Sequence, residues 1–428
     1  MKIAFLTLGC KLNYAETSTY ERGFIRHGME VTQWNDSPAD IYLINTCSVT
    51  ETSDKKARNA IRKMHRINPD AAIVVTGCYA ELKREEIEKI EGVALVFGAK
   101  EKNKVVPLTI DYVEGRTLTR EDFERKGLAE EYREISKETL PAYSTGERTR
   151  SFLKVQDGCN NFCAYCTVPF ARGESRNIPI CEIVKQAEAI AAQGVKEIVL
   201  TGVNTGDFGR TTGESFLDLL KALNAVDGID RYRISSIEPN LITEETIDWI
   251  ASGTKFQPHF HIPLQTGSDI QLKRMGRKYD TAFFADRINY IRSKMEGPGK
   301  PKVFFGIDTM VGLPGETEEL FMDTYRFIES IRPAFIHIFP YSRRPGTKAA
   351  LMPDQVPEQI KKERVDRLEE LCARLHDKFV EENRGIKETV LFESSEKNGM
   401  MGGYTGNYIR IEREYDPELV GKLTEVTI

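Results

Sequence analysis

Three cysteines crowd one short stretch of the sequence, DGCNNFCAYC, where Cys159, Cys163 and Cys166 have the spacing CxxxCxxC. Three thiolates at this spacing can hold three irons of a [4Fe–4S] cubane and leave the fourth iron without a protein ligand. Tetrahedral zinc is the alternative, but a closed zinc site needs four ligands, and no histidine stands near this stretch. The spacing therefore favours an iron–sulfur cluster with one open iron.

Three other cysteines, Cys10, Cys47 and Cys78, each end a strand-like apolar run: KIAFLTLGC, IYLINTC and AIVVTGC. Helical patterns separate these runs, and strand–helix alternation predicts a parallel sheet. The carboxyl ends of parallel strands share one rim, where ligands usually bind. The alternative is a buried structural thiol at each strand end, a common role of free cysteine. Three cysteines in one repeated context favour a second metal site instead.

The elements that position these cysteines follow one another along a chain of 428 residues, long enough for two or three domains. After the first alternation, residues 100–148 are charge-rich and predict a connector that is partly helical at most. Six further strand–helix units, from 149 to about 345, predict an open or partial barrel. A charged helix over 357–385, then short strands joined by glycine-rich turns such as NGMMGGYTG, predict a small β-barrel. The predicted fold class is α/β, with domains at 1–125, 145–370 and 371–428.

Composition restricts the class of protein. The chain is 40% hydrophobic and 29% charged, its mean hydropathy is −0.40, and no apolar run is long enough to span a bilayer. The start, MKIAFLTLGCK, is too short and too strand-like for a signal peptide, so we expect a cytosolic protein. In a reducing compartment its eight cysteines predict metal ligands or catalytic thiols rather than disulfides. A net charge of −5 requires any nucleic acid to dock on a local basic patch.

The motif CxxxCx(aromatic)C after the first strand of a six-unit series resembles that of the radical S-adenosylmethionine (SAM) enzymes. The resemblance implies that the open iron binds SAM and that the cluster cleaves it to a 5′-deoxyadenosyl radical. Tyr165, the aromatic residue of the motif, is then expected near the adenine. Polar or glycine residues at later strand ends are further candidates, although such groups are more often satisfied core residues. The SAM-binding candidates are Tyr165, Gly202, Asn204, Ser236, Glu238, His261 and Gln265, and no catalytic residue is assigned.

The motifs LGCKLN, NTCSVT and TGCYAE, together with CNNFCAYC and a small C-terminal barrel, resemble the methylthiotransferases over essentially the whole chain. The resemblance implies that Cys10, Cys47 and Cys78 ligate a second [4Fe–4S] cluster. It also implies an RNA-binding TRAM domain at the C-terminus and a reducing electron donor such as a flavodoxin or ferredoxin. Gly406 stands where such barrels commonly carry an acidic residue.

The substrate is suggested by GCKLN and CTVPFARGESR, which resemble the MtaB-type branch of the family. That branch methylthiolates C2 of N6-threonylcarbamoyladenosine beside the tRNA anticodon. The alternatives are the same chemistry on isopentenyladenosine of tRNA or on an aspartate of a ribosomal protein. The alternative of another class is a non-catalytic RNA-binding iron–sulfur protein.

Basic residues near the predicted active-site rim are candidates for phosphate contacts, which would make RNA binding depend on salt. A solvated surface is the alternative for any one of them. Splaying out a stacked anticodon-loop base is expected as well. The RNA-binding candidates are Arg172, Arg176, Lys273, Arg274, Arg277, Lys278, Arg343 and Arg344.

Overall fold

The computed structural model describes residues 1–35, 38–116, 139–145, 149–210 and 212–428. Among them, no helix is long and apolar enough to cross a membrane. The chain forms two compact units. The first unit contains residues 1–144, 152–160 and 166–178, and the second contains 145–151, 161–165 and 179–428. Residues 117–138 and 146–148 of the predicted charge-rich connector lie outside the described residues.

The first unit is built on a five-stranded parallel sheet. Its strands are β1 (Lys2–Thr7), β2 (Glu30–Thr32), β3 (Ile41–Thr46), β4 (Ala72–Gly77) and β5 (Val93–Gly98), in the order β2-β1-β3-β4-β5. Its helices are α1 (Lys11–Arg26), α2 (Glu51–Ile67), α3 (Cys78–Leu82), α4 (Arg84–Glu88), α5 (Val105–Val113) and α6 (Val168–Arg172). Two short strands, β7 (Gln156–Asp157) and β8 (Arg176–Asn177), pair antiparallel.

Helices cover both faces of this sheet, so its central strand is buried throughout, as in other parallel sheets. Ile61 and Met64 of α2 pack in one core cluster, whereas Tyr20 and Phe24 of α1 pack in the other. The first part of the predicted connector contains a helix, which the expectation of partial helix allows, and this helix packs in the core of the first unit. Helix α5 lies within 100–148, and its apolar residues Val105, Leu108 and Ile110 are buried in the core. The short edge strand β2 was not predicted.

Two three-stranded sheets are ordered β10-β9-β6 and β11-β12-β13, and all of their strands belong to the second unit except residues 152–154 of β6, which belong to the first. The strands are β6 (Arg150–Lys154), β9 (Glu197–Thr201), β10 (Arg231–Ile234), β11 (His259–His261), β12 (Phe304–Val311) and β13 (Phe335–Pro340). The helices between them are α7 (Ile180–Ala191), α8 (Phe216–Asn224), α9 (Glu244–Ala251), α10 (Asp269–Arg274), α11 (Thr281–Met295) and α12 (Glu318–Ile331), and α13 (Lys348–Leu351) follows β13. A parallel bridge between Tyr232 and Phe256 links the two sheets. Six strands in chain order form the partial barrel that the sequence predicts.

The C-terminal part begins with helix α14 (Glu358–Glu381), which runs through the domain boundary predicted at 370/371. A four-stranded antiparallel sheet follows, curled into a half-barrel by an irregularity between Phe392 and Glu396. Its strands are β14 (Lys387–Lys397), β15 (Met400–Tyr404), β16 (Arg410–Glu414) and β17 (Leu423–Thr427). The glycine-rich stretch predicted as a turn contains β15, because Gly402 and Gly403 lie in the ladder with β16. The small β-module is therefore present, with one more strand than expected.

Candidate metal centres

The first unit brings Cys10, Cys47 and Cys78 to the carboxyl edge of neighbouring strands. Cys10 directly precedes α1, Cys47 follows β3, and Cys78 begins α3 immediately after β4. The strands β1, β3 and β4 are adjacent in the sheet. The loops after β1 and β3 touch, because a Cβ added to Gly9 would lie 2.9 Å from the Cβ of Cys47. The three cysteines thus share one rim.

The thiols on this rim influence one another. Burial, and next the neighbouring Cys78 thiol, raise the pKa of Cys47 to about 11. Burial also raises the pKa of Cys78, whereas Arg172 and Lys102 act to lower it. Metal binding requires thiolates and releases their protons, so a cation nearby favours the ligated state.

Five buried ionic side chains adjoin the rim and form the first-unit ion cluster: Glu16, Lys102, Lys154, Asp157 and Arg172. The Oε1 atom of Glu16 lies 2.5 Å from Lys102 Nζ, 2.9 Å from Lys154 Nζ and 3.3 Å from Arg172 Nη1. Asp157 Oδ2 lies 2.8 Å from Lys154 Nζ, and Asp157 Oδ1 lies 2.9 Å from Arg172 Nη1. Three cations thus share two carboxylates in the absence of bulk water.

The cations of this cluster lower the pKa values of its two carboxylates. Burial by itself would raise the pKa of Glu16, but Lys102, Lys154 and Arg172 outweigh it and lower the pKa to about 2. The same balance of burial and cations holds the pKa of Asp157 well below its usual value. Both carboxylates are therefore ionised at neutral pH. Burial lowers the pKa of Lys102, and the guanidinium of Arg172 remains a permanent positive charge.

Asn13 connects the first-unit ion cluster to the thiols. Its Oδ1 atom accepts hydrogen bonds from Arg172 Nη2 at 2.7 Å and from Cys10 Sγ at 3.5 Å. Its Nδ2 atom donates to the carbonyls of Leu8 at 3.1 Å and Thr46 at 3.0 Å, which ties together the two loops that carry Cys10 and Cys47. Three convergent thiols beside a buried positive charge fit an anionic iron–thiolate group, whose properties depend on such hydrogen bonds and burial.

The CxxxCxxC loop follows β7 and starts with a tight backbone crossing. Gly158 has φ +74°, and a Cβ added to it would lie 2.0 Å from the carbonyl oxygen of Glu174. The N–H of Cys159 donates to the carbonyl of Gly173 at 3.0 Å. No side chain fits at position 158, so glycine there fixes the backbone that leads into Cys159.

Arg277 of the second unit contacts the middle cysteine of this loop. Its Nη1 atom donates to Cys163 Sγ at 3.2 Å, and its Nη2 atom lies 2.9 Å from Glu238 Oε1. Asn161 Nδ2 donates to the other carboxylate oxygen of Glu238 at 2.8 Å. The side chain of Arg277 is only 5% exposed, which assigns it to the cysteine loop rather than to RNA. Hydrogen bonds to ligand sulfurs are one means by which proteins set cluster potentials.

The strand ends that carry the predicted SAM contacts are hydrogen-bonded to one another. Asn204 Oδ1, after β9, accepts from the N–H of Glu238 at 3.2 Å. The N–H of Thr205 donates to the carbonyl of Ser236, and the N–H of Ile237 donates to the carbonyl of His261. Gly202 follows β9 directly, and the N–H of Gln265 donates to the carbonyl of Asp308 at 2.7 Å. Tyr165 Oη lies 3.5 Å from Arg277 Nη1. These residues line one series of strand ends in the second unit.

The basic candidates for RNA contacts differ in how far their side chains are exposed to solvent. Arg172 and Arg344 are buried, which does not favour them as RNA contacts, and Arg172 pairs with Glu16 and Asp157. Arg176 is half-buried and lies 3.6 Å from Asp157. The exposed members are Lys273, Arg274, Lys278 and Arg343.

A second buried cluster, the second-unit ion cluster, contains Glu197, Arg150, Arg231 and Arg233. Arg233 makes two hydrogen bonds to the Glu197 carboxylate, at 2.8 and 3.1 Å, and two to backbone carbonyls of the half-barrel, those of Thr405 and Gly406, both at 2.7 Å. Arg231 donates to the Thr389 carbonyl and hydroxyl. A Cβ on Gly406 would lie 2.5 Å from Gln257 Oε1 and 3.1 Å from Glu388 Oε2, so a side chain at position 406 would require both of these side chains to move.

Comparison with known protein families finds two separate matching regions in the chain. Residues 2–98 match the family described as "Uncharacterized protein family UPF0004", and residues 153–328 match the radical SAM superfamily. The chain is 41% identical, over its full length and 93% of the relative, to the threonylcarbamoyladenosine tRNA methylthiotransferase MtaB of Bacillus subtilis. It is 34% identical, over its full length and 95% of the relative, to a tRNA-2-methylthio-N6-dimethylallyladenosine synthase of Pelotomaculum thermopropionicum.

A solved structure shares the fold. The radical SAM methyltransferase TsrM of Kitasatospora setae superposes with a TM-score of 0.60 over 92% of this chain and 79% of that one, at 14% identity. The UPF0004 match contains Cys10, Cys47 and Cys78, and the radical SAM match contains Cys159, Cys163 and Cys166. The two cysteine sets therefore belong to two separate family regions of one chain.

Proposed function

This chain belongs to the radical SAM methylthiotransferase family, and we propose that it methylthiolates C2 of N6-threonylcarbamoyladenosine beside the anticodon of tRNA. The observation that carries the proposal is the second set of thiols. Cys10, Cys47 and Cys78 share one rim, and Asn13 links that rim to the buried cations. When bound, two [4Fe–4S] clusters and SAM supply the sulfur, methyl and radical chemistry.

The chain's own residues hold and orient these groups. Cys159, Cys163 and Cys166 would ligate one cluster, and Cys10, Cys47 and Cys78 the other. Arg172 and Asn13 would stabilise the thiolates of the second set, and Arg277 would donate to the Cys163 sulfur, as ligand-orienting groups outside the metal do elsewhere. The proposed SAM contacts are Tyr165, Gly202, Asn204, Ser236, Glu238 and Gln265.

Docking of tRNA is proposed on exposed cations and on the C-terminal half-barrel, which would serve as the TRAM module. Phosphate contacts from cations are the usual source of affinity and of salt dependence. The proposed RNA contacts are Arg176, Lys273, Arg274, Lys278 and Arg343. A flavodoxin- or ferredoxin-type protein is the proposed electron donor, in a cytosolic setting.

The test measures two products, 5′-deoxyadenosine and the methylthio nucleoside, in each of three cysteine variants. Protein reconstituted anaerobically should contain about eight irons, the content of two cubanes. Cys47→Ala should lose about half of the iron, still release 5′-deoxyadenosine from SAM, and form no methylthio nucleoside. Cys163→Ala should lose 5′-deoxyadenosine instead. Cys181→Ala, which changes an exposed cysteine outside both sets, is the matched control and should retain both products.

Two results would contradict the proposal. Methylthiolation at a normal rate by Cys47→Ala would show that the second thiol set does not handle sulfur. Mass spectrometry of tRNA nucleosides decides the substrate: a methylthio group on dimethylallyladenosine, with none on threonylcarbamoyladenosine, would refute the substrate while leaving the chemistry intact.

A further inference from the structure

The open face of the second barrel sheet carries three polar side chains that neither the metal centres nor the SAM candidates explain together. His261 ends β11, Asp308 lies in β12, and His337 lies in β13. His261 Nε2 lies 2.8 Å from Asp308 Oδ1. The ring centroids of His261 and His337 are 5.1 Å apart. The possible ligand atoms of all three lie within 4.8 Å of one another. We call these residues the polar triad.

The strand register explains how three separate strands build the polar triad. Asp308 is the partner of His337, and Gly306 is the partner of both His261 and Phe335. Partners in a parallel sheet point to the same face, as do residues two apart in one strand. His261 and His337 are two strands apart, and their rings still come close, because Gly306, the β12 partner of His261, has no side chain to stand beside the His261 ring.

The same face is open and aromatic beside the polar triad. Phe335 is 38% exposed and Phe339 is 42% exposed, whereas on the opposite face Ile336 is 3% exposed and Ile307 is fully buried. Phe335 packs edge-on against His337, with ring centroids 4.8 Å apart. Large apolar rings left in water on the inner face of a barrel are typical of a ligand surface. Aromatic rings stack on nucleic-acid bases of any sequence.

We propose that the polar triad recognises the N6 substituent of the target adenosine, with Phe335 and Phe339 forming the apolar surface against which the base lies. This inference rests on the proposed function. The threonylcarbamoyl group offers ureido N–H donors, a hydroxyl group and a carboxylate. The imidazoles of His261 and His337 donate to the carboxylate of the threonylcarbamoyl group. The Asp308 carboxylate accepts a hydrogen bond from a ureido N–H or from the hydroxyl group of the substituent.

The alternative substituent of the family, dimethylallyl, is a hydrocarbon. Against the polar triad it would remove water from two imidazoles and a carboxylate without replacing the hydrogen bonds, which is costly. A site built to hydrogen-bond a polar substituent rejects an analogue that lacks it more strongly than an apolar pocket rejects an extra group. The polar triad therefore selects threonylcarbamoyladenosine over dimethylallyladenosine.

The test compares three anticodon stem–loops that differ only at N6 of the target adenosine: threonylcarbamoyl, dimethylallyl or unmodified. Their affinities for the reconstituted enzyme are measured by fluorescence anisotropy in metal-free buffer. Wild-type protein should bind the threonylcarbamoyl loop at least about tenfold more tightly than the unmodified loop, as expected for hydrogen bonds to a charged group. In His337→Ala and Asp308→Asn this ratio should fall to about two or less, with the affinity for the unmodified loop unchanged.

Two controls define the effect. His27→Ala, an exposed histidine at the end of α1, should keep the wild-type ratio. Phe339→Leu should weaken binding of all three loops alike, by at least about fivefold, because stacking is indifferent to the substituent. Circular dichroism and thermal unfolding of every variant, compared with wild-type protein, check that the barrel is folded.

The possible results distinguish a failure of recognition by the polar triad from a failure of the proposed substrate. If wild-type protein prefers the threonylcarbamoyl loop and both polar-triad variants keep that preference, the inference is overturned while the proposed function stands. A preference that appears only after a divalent cation is added overturns direct recognition in favour of a metal bound by the polar triad. A wild-type preference for the dimethylallyl loop overturns the proposed substrate and the inference with it.

Discussion

The two ion clusters are built from the same kinds of side chain, cations around carboxylates, but they contact different parts of the molecule. In the first-unit ion cluster, three cations bind two carboxylates, and Arg172 continues through Asn13 to the Cys10 thiol. In the second-unit ion cluster, three arginines surround the single carboxylate of Glu197. Arg231 and Arg233 also donate to backbone carbonyls of the half-barrel, and Arg150 donates to the side chains of Tyr408 and Glu393 there. The first arrangement provides charge for a metal centre, and the second attaches one module to another.

The largest expected effect comes from Glu16→Gln. The substitution leaves three buried cations with one carboxylate, and breaking such a pair costs about 3–5 kcal/mol. Chemical denaturation should show this loss in the free energy of unfolding. The iron content of anaerobically reconstituted protein should fall by about half. Glu88→Gln, at an exposed position of α4, should change neither quantity; normal iron in Glu16→Gln would show that the cluster and the metal centre are independent.

As the pH falls, the stabilising effect of the first-unit ion cluster should be lost only below the ordinary pKa of a glutamate. The pKa of Glu16 is lowered from 4.5 to about 2, so its contribution to stability is complete above pH 4.5 and is lost as the pH falls through about 2. The depression corresponds to about 3 kcal/mol. Circular dichroism of wild-type protein should therefore show stability falling between pH 4.5 and 2, and Glu16→Gln should flatten that part of the profile. An equal slope in both proteins would assign acid sensitivity to other carboxylates.

The second-unit ion cluster is tested by Arg233→Met. The change removes two hydrogen bonds from Glu197 and two from the carbonyls of Thr405 and Gly406. We expect a loss of about 2–3 kcal/mol, less than for Glu16→Gln, because Arg150 and Arg231 still neutralise Glu197. Affinity for tRNA should fall, while iron content and SAM cleavage stay normal. A fall in iron would mean that the two clusters do not have separate uses.

The local patterns of the sequence predict much of this fold. Strand-like runs ending at Cys10, Cys47 and Cys78 appear as strands at almost the predicted positions, because a fully buried parallel strand must be continuously apolar. The tertiary ion pairs could not be predicted. Glu16 is a charged residue in the buried row of α1 that contains Leu12 and Tyr20. Its partners Lys102 and Lys154 lie 86 and 138 positions away. Periodicity reports which residues are apolar, and it does not report which charges meet.

The same limit explains why sequence alone does not separate buried from exposed cations among the predicted RNA contacts. Arg172 and Lys278 look alike in sequence, since each belongs to a short basic stretch beside a cysteine loop or a glycine turn. In the structure, Arg172 is 2% exposed and paired, whereas Lys278 is exposed. Desolvation makes the first a structural charge, and exposure makes the second available to phosphate.

The smallest expected effect sharpens this contrast between buried and exposed cations. Lys278→Gln should change the free energy of unfolding by no more than about 0.5 kcal/mol, as is usual for a surface substitution. It should weaken tRNA binding equally for all sequences and reduce the slope of log affinity against log salt concentration by about one, the signature of one lost phosphate contact. Titration of tRNA at several salt concentrations measures both. Lys196→Gln, an exposed lysine outside the proposed RNA set, is the matched control and should leave the slope unchanged. An unaltered slope in Lys278→Gln would remove Lys278 from the RNA surface, even if Arg274 and Arg343 remain on it.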